Sequence, residues 1–213
     1  MDIFDSRSLR YIDCFAQKFS SPGKVKYRLT TTAGACLPID EDIFTIEVIK
    51  PKNGEKLSEQ HNIIVRREEH RFVADPPHLK IEAGDMVLWN SPDPSAPGFV
   101  VRGKGTDGIF DSSALTSEAV YTHAFGMPGD YEWVDANGKK VRGVVQVRSL
   151  DFNNREECKK WLNSLKSGTL ITINEDEVQP ECIEILTGQT VFWAVQKAAG
   201  ISITDARLPK RFS

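Results

Sequence analysis

Hydrophobic and polar residues alternate along short segments of this chain, and the segments are joined by glycine and proline turns. LKIEAGDMVLW alternates on both sides of Gly84-Asp85, and YTHAFGMPGDYEWV does so around Pro128-Gly129. Alternation with a period of two places every second side chain on one face of a strand. FTIEVIK and GVVQVRS add short strands with one buried face. The pattern predicts an all-β chain of many short strands.

One segment has a helical period instead. Between residues 153 and 168, apolar side chains recur three and four positions apart, at Cys158, Trp161, Leu162 and Leu165. Asn154 is a suitable N-cap and Gly168 a suitable stop. We therefore predict one short amphipathic helix, within a linker at 150–168 that joins two modules. Residues 49–60 are polar and predict a second linker.

Two sequence blocks occur twice. IFDSRSL begins at Ile3 and IFDSSAL begins at Ile109, an offset of 106. PPHLKIEAGDMVLW (76–89) and PECIEILTGQTVFW (180–193) share six apolar, proline and glycine positions at an offset of 104. Two blocks repeated at nearly the same offset indicate an internal duplication.

The duplication divides the chain into half-modules in the order tail, head, tail, head. We expect the central head and tail, residues 61–149, to form one complete domain. The outer tail (3–50) and outer head (169–213) would then form a second domain from two separated halves. Pairing within one chain would make this domain circularly permuted, whereas pairing between chains would build a ring or filament.

The central module resembles the cupredoxins, the small blue-copper domains. Its head reads P-x-x-L-x-I-x-x-G-D-x-V-x-W-x-N from Pro76 to Asn90, followed by IFDSSAL, YTHAF, PGDYEW and GVVQV. The resemblance covers about residues 61–149 and extends to the outer halves through the repeat. It implies tandem Greek-key β-sandwiches.

The same resemblance implies that copper is not bound. Family members hold the metal with two His, one Cys and usually an axial Met. The corresponding positions are Gly98, Asp135, Gly138 and Val141. In the outer halves the first His position falls near Gly200 and the Cys position at Leu29. We therefore expect no cofactor and no metal ligands.

The remaining candidates for chemistry have simpler interpretations. His123 occupies a strand position where many cupredoxins carry a non-ligating residue, so a structural role is expected. His70 and His78 suggest no third metal ligand. Asp93, Asp111 and Asp135 are expected to be turn residues. No hydrolase, metalloprotease or phosphate-loop motif occurs. We predict no catalytic residues, and the chain is not expected to be an enzyme.

Composition narrows the functional class. The net charge is −3, with 27% charged and 40% hydrophobic residues, which argues against a strongly basic nucleic-acid binder. No apolar run approaches ~20 residues, so no membrane span is expected. The N-terminus does not resemble a signal peptide, and the four cysteines lack metal-finger spacing. Reduced, mostly buried thiols and a cytoplasmic location are expected.

Two classes of function follow. The leading hypothesis is a non-catalytic binding or structural module with a protein partner, or a homo-oligomer formed by exchange of half-modules. The alternative is the cupredoxin-like portion of a multicopper oxidase or other oxidoreductase whose metal sites lie elsewhere. A weaker third idea is a ligand pocket at the former copper end, lined by Asp93, Asn137 and Lys139.

Overall fold

The computed structural model describes residues 2–31, 43–51, 57–165, 167–198 and 200–208. In these ranges the first strands are β1 (Asp13–Lys18), β2 (Gly23–Thr31), β3 (Phe44–Ile49), β4 (Gln60–Glu68), β5 (Arg71–Asp75), β6 (His78–Glu82), β7 (Met86–Asn90), β8 (Phe99–Gly105) and β9 (Gly108–Asp111). They are followed by β10 (Ala119–Ala124), β11 (Gly129–Asp135), β12 (Arg142–Arg148), α1 (Arg155–Ser164), β13 (Thr169–Asn174), β14 (Glu177–Gln179), β15 (Cys182–Leu186), β16 (Thr190–Lys197) and β17 (Ile203–Asp205). The prediction of a mostly β chain with one short helix is confirmed.

The strands form three sheets. An eight-stranded sheet has the order β14-β13-β16-β10-β1-β7-β4-β5, a five-stranded sheet has the order β6-β3-β2-β8-β9, and a four-stranded sheet has the order β15-β12-β11-β17. We call β1–β9 the N-terminal half and β10–β17 the C-terminal half. Each half contributes four strands to the large sheet and one whole smaller sheet.

Aromatic residues pack between the sheets in each half. Trp89 on β7 meets Tyr27 on β2 edge-on, with ring centroids 5.5 Å apart. Trp193 on β16 meets Trp133 on β11 in the same manner at 6.2 Å. All four side chains are at most 1% exposed. Alternate residues of the facing strands therefore form a core between two layers, as in a sandwich.

The strand pairing corrects the predicted grouping of the half-modules. β2 pairs with β8, placing Tyr27 opposite Gly103, and β3 pairs with β6. Strands β1–β3 therefore join the head that follows them, and β10–β12 likewise join β13–β17. The predicted units 61–149 and 3–50 plus 169–213 do not describe this pairing. A repeat shows which segments are alike but not which ones pair, whereas elements consecutive in the chain are commonly neighbours in space.

A pseudo-two-fold axis relates the halves. β1 and β10 pair antiparallel at the centre of the eight-stranded sheet, with Phe15 opposite Tyr121. These residues are 106 positions apart, the offset of the repeat, so the axis passes through their pair. On either side Phe15 lies opposite Trp89 and Tyr121 opposite Trp193. The predicted equivalence of the two tryptophans is confirmed.

The helix begins as expected but connects different elements. The Asn154 side chain accepts hydrogen bonds from the amides of Glu156 and Glu157, which makes it the N-cap. The helix joins β12 to β13 inside the C-terminal half, so the expected linker between modules is corrected. Trp161 anchors it by donating from Nε1 to the Thr187 carbonyl at 2.9 Å.

The described cysteines are free thiols, but they are less buried than expected. Cys14 and Cys158 are half-buried and Cys182 is exposed. Burial raises the pKa of the Cys14 thiol. Cys36 lies outside the described residues.

Candidate functional site

The two copies of the IFDS sequence adopt matching positions. We call residues 2–9 the N-terminal segment and residues 108–115 the internal segment. Phe4 stacks on Trp193 with centroids 5.6 Å apart, and Phe110 stacks on Trp89 at 5.7 Å. Both phenylalanines are at most 4% exposed. The N-terminal segment therefore lies on the C-terminal half, although the rest of the first tail belongs to the N-terminal half.

The serines of the two segments make the same pair of hydrogen bonds. Ser6 donates its amide to the Ile203 carbonyl at 2.9 Å, and its Oγ accepts from the Ile203 amide at 3.0 Å. Ser112 does the same with Val101, at 2.9 and 3.1 Å. Each serine thus completes the backbone hydrogen bonding of a strand in the smaller sheet, β17 or β8.

Each segment begins on one half and ends on the other. Leu9 exchanges two backbone hydrogen bonds with Phe99 of the N-terminal half, and Leu115 exchanges two with Ile201 of the C-terminal half. Both leucines are fully buried. The two segments therefore cross between the halves in opposite directions.

Aspartates secure the beginning of both segments. The Asp2 carboxylate accepts from the amides of residues 126–127 at 2.7 and 3.0 Å. Asp107, just before the internal segment, accepts from the amides of residues 20–21 at 2.8 and 3.1 Å. These two loops are related by the repeat offset of 106. Sequence analysis missed this pair, although extending the IFDS alignment upstream would have brought them nearly into register.

Arg207 adds a contact near the other end of the described chain. Its Nη2 donates to the Asp2 carbonyl at 2.6 Å, and its guanidinium lies 5.7 Å from the centroid of the Tyr131 ring. Burial opposes ionisation of Asp205, but hydrogen bonds from Arg207 hold the pKa of its carboxyl below the ordinary value.

A buried polar cluster fixes the turn that follows the N-terminal segment. Asp13 Oδ1 accepts from the Tyr121 hydroxyl and contacts His123 Nδ1, both at 2.7 Å. Asp13 Oδ2 accepts from the Arg10 amide at 2.9 Å. Burial, and then the charge of Asp13, raise the pKa of Tyr121 far above its ordinary value. His123 is fully buried, and its ring lies 5.4 Å from that of Phe4. The structural role expected for His123 is consistent with these contacts.

The four positions that the predicted resemblance matched to copper ligands do not form one site. Gly98 belongs to the N-terminal half, where a Cβ would approach Ser8 Oγ to 2.0 Å. Asp135 belongs to the C-terminal half and accepts from the Ser202 and Lys139 amides at 2.7 and 2.9 Å. Val141 is buried and its carbonyl accepts from the Asp135 amide at 3.1 Å, and Gly138 has φ +90° in a turn. The carboxylate of Asp135 is thus used to fix two backbone segments.

The other sequence candidates are also dispersed. Asp93 accepts from the amide and hydroxyl of Ser95, which lower the pKa of its carboxyl. Asn137 lies in the C-terminal half, where it donates to the Gly200 carbonyl at 2.8 Å. The pocket imagined from Asp93, Asn137 and Lys139 is therefore not assembled.

The other two histidines named from the sequence and the third aspartate lie near the surface. His70 and His78 are exposed, and His78 Nδ1 lies 2.9 Å from the Thr45 hydroxyl. Asp111 accepts from the Ser113 amide at 2.7 Å, as expected for a turn residue.

Three residues that sequence analysis did not select have ligand atoms within 4.8 Å of one another, namely Glu59, His61 and Asp85. Asp85 already accepts from the amides of Glu59 and Glu82 and contacts His61 Nε2 at 2.9 Å. The equivalent Gln189 accepts from the Leu186 amide in the other half. Burial opposes ionisation of Asp85, but these hydrogen bonds hold its pKa below the ordinary value. Turn capping accounts for this cluster.

Comparisons with known proteins found no matching family model, no matching curated protein and no matching solved structure. Among the described residues, no helix is long and apolar enough to cross a membrane. The most distinctive feature of the molecule is the surface of the C-terminal half that holds the N-terminal segment. We call this surface the seat of the segment.

Proposed function

We propose that the chain is a non-catalytic, copper-free protein of two cupredoxin-like Greek-key sandwiches, and that it acts as a binding or assembly module. Its binding element is the surface of the C-terminal half that holds the N-terminal segment. This surface, continued at Phe99 of the N-terminal half, takes an extended peptide of the pattern F-D-S-x-x-L, from the same chain or from a protein partner. Such recognition combines backbone pairing with side-chain pockets.

One observation carries the proposal, namely that the N-terminal segment reproduces the seat of the internal segment. Phe4 and Phe110 stack on equivalent tryptophans, and Ser6 and Ser112 pair with equivalent strands. The internal segment contains β9 and connects β8 to β10, whereas the N-terminal segment reaches the C-terminal half from the far side of the turn before β1. The four-stranded sheet that contains β17 therefore holds the N-terminal segment through noncovalent contacts.

The seat has defined chemistry. An aromatic slot of Trp193, Phe125 and His123 surrounds the Phe4 ring. Main-chain groups of Ile203 hold Ser6, and the amides of residues 126–127 bind a carboxylate. The occupant is therefore an extended segment with a phenylalanine, a following serine and an acidic residue two positions before the phenylalanine.

The use of the former ligand positions supports a role without copper. Asp135 is engaged with two backbone amides, and Gly98 is closed over by Ser8. Neither position presents a thiolate or imidazole, the groups that a blue-copper centre requires.

Strand complementation can be tested by separating the segment from the chain. A protease site inserted at Tyr11, which is 51% exposed, would allow the folded protein to be cut after the segment. We expect the cut protein to exchange the segment for a labelled peptide of residues 2–9. A peptide with Phe4→Ala is the control, and it should bind more than ~100-fold more weakly because a buried Phe is lost.

A second variant lacking residues 2–9 extends the test. It should lose stability in the C-terminal half and regain it when the peptide is added, as followed by thermal unfolding. Unchanged stability on deletion, or equal binding of the two peptides to the cut protein, would contradict the proposal.

A further inference from the structure

A cleft lies beside the end of the central strand pair at which Gln17 is opposite Ala119. Its volume is about 230 Å³, whereas an engineered apolar cavity of roughly 150 Å³ is already large enough to bind benzene. The rings of Phe19 and Phe110 form its apolar side and meet edge-on, with centroids 5.4 Å apart. The cleft is therefore large enough for a compound of one or two aromatic rings.

Gln17 brings an unused hydrogen-bond acceptor to this cleft. Its side chain is 6% exposed, and Nε2 donates to the carbonyls of Lys18 and Ser117 at 3.1 and 3.3 Å. These two bonds fix the orientation of the amide, because a carbonyl oxygen can only accept. Oε1 is buried and has no hydrogen-bond partner among the residues that the structure describes. A buried acceptor without a donor is costly, so a ligand that supplies an N–H or O–H is favoured.

The charged groups that line the cleft are already engaged. In the described part of the chain they are Lys18, Asp107 and Glu118. Lys18 Nζ lies 3.4 Å from the Glu118 carboxylate. Asp107 accepts from the amides of residues 20–21 at 2.8 and 3.1 Å. An uncharged ligand therefore suits the cleft better than an ion does.

The equivalent place in the C-terminal half is occupied by the buried polar cluster. There Asp13 and His123 take the positions of Ala119 and Gln17. Asp13 Oδ1 contacts His123 Nδ1 and accepts from the Tyr121 hydroxyl, both at 2.7 Å. Alanine and phenylalanine stand at the aspartate and tyrosine positions in the N-terminal half. The N-terminal half thus lacks the carboxylate and the hydroxyl that fill this place in the other half.

The turns beside the two places also differ in size. Thr116 and Ser117 border the cleft, whereas Arg10 and Tyr11 occupy the same positions of the repeat. Both turns are closed by the same backbone hydrogen bond, at 3.2 Å beside the cleft and 2.9 Å in the other half. The smaller side chains on an equivalent turn therefore leave the cleft open.

We propose that this cleft binds a small, uncharged aromatic compound that donates an N–H or O–H to Gln17 Oε1. Its ring packs against Phe19 and Phe110, in keeping with the usual composition of ligand sites, which are mostly apolar with a few polar groups. This proposal does not rest on strand complementation, because the cleft belongs to the N-terminal half and the seat of the N-terminal segment to the C-terminal half.

Titration of the full chain with indole, followed by ¹H–¹⁵N NMR, tests the cleft. We expect saturable one-to-one binding with shifts at Gln17 and Ser117. 1-Methylindole has the same ring but no N–H, and it should bind about 10-fold more weakly because Oε1 stays unpaired. Gln17→Met removes the acceptor at similar side-chain length, and it should remove the difference between the two compounds.

Ser117→Tyr gives the turn the residue found in the other half, at an exposed position, and it should abolish saturable binding by closing the cleft. Tyr11→Ser is the matched control, since it changes the equivalent turn and should leave indole binding unchanged. Absence of saturable indole binding to the full chain would overturn the proposal. Equal binding of the two compounds, or equal loss of binding in Ser117→Tyr and Tyr11→Ser, would overturn it as well.

Discussion

The two halves of the molecule share their contacts but not their connectivity. In the N-terminal half, Phe110 arrives on a segment that is continuous with β9 and leads into β10. In the C-terminal half, Phe4 arrives from a segment that continues only into β1 among the described residues. The stacking distances differ by just 0.1 Å, 5.6 against 5.7 Å. The two stacks are therefore alike in distance, whereas the segments differ in how they are connected to the rest of the chain.

A second difference lies at the two ends of the central strand pair. At one end Asp13 is opposite His123, and at the other end the pseudo-symmetric positions are Ala119 and Gln17. Only the first end carries a buried carboxylate, and it fixes the turn through the Arg10 amide. The equivalent turn before β10 is closed by the backbone bond from the Ala119 amide to the Thr116 carbonyl. The N-terminal segment is thus followed by the more firmly held turn.

Removing each core tryptophan should give the largest effect and separate the halves. Trp89→Ala and Trp193→Ala should each lower the free energy of unfolding by about 3–5 kcal/mol, because each leaves a large buried cavity. Trp193→Ala should also release the N-terminal segment, since Phe4 stacks on that ring. Urea unfolding measures the first effect, and hydrogen exchange of residues 2–9 measures the second. Equal loss of protection in the two variants would remove the distinction.

The polar ends of the central pair should respond unequally. Asp13→Ala leaves His123 and Tyr121 buried without their acceptor, and we expect a loss of about 3 kcal/mol. Gln17→Ala removes bonds from Nε2 to the carbonyls of Lys18 and Ser117, and should cost about 1 kcal/mol. Chemical denaturation of both variants gives the comparison, and similar losses would show that the asymmetry has no energetic weight.

The turn caps Asp85 and Gln189 should differ in their response to pH. The pKa of Asp85 is lower when the protein is folded, so its contribution is present above the unfolded pKa of about 4 and is lost as the pH falls through the folded pKa. Asp85→Asn should cost about 1–2 kcal/mol at neutral pH for weakened hydrogen bonds, and less in acid. Gln189→Ala should destabilise equally at both pH values. Melting temperatures from pH 7 downward test this, and parallel curves would count against it.

Most of the local structure could be predicted from the sequence. Alternation located the strands, Asn154 marked the helix start, and the repeat offset made Trp89 and Trp193 equivalent. These features depend on short-range pattern and on burial of one face. The expectation of turn roles for Asp93 and Asp111 follows from the same local chemistry.

The pairing of the halves could not be obtained in this way. A duplicated chain offers each tail two heads with the same pattern of core positions, so the aromatic pattern around Phe15 or Tyr121 fits either choice. What separates them is the crossing of Leu9 to Phe99 and the contacts of Asp13 with Tyr121 and His123. Both are contacts between residues distant in sequence. The stacking of Phe4 on Trp193 likewise could not be predicted, because the two residues are far apart in the sequence.

The opposite crossings of the two segments give the molecule the architecture of a domain-swapped dimer fused into one chain. A protein half as long, with one IFDS segment, would build the same arrangement from two copies, each completing the smaller sheet of the other. Phe15 and Tyr121 would then be one residue facing its own symmetry mate across the axis. In a fused chain these two positions are free to differ. Asp13 and His123 show the same freedom, because they lie opposite each other whereas their repeat equivalents are Ala119 and Gln17.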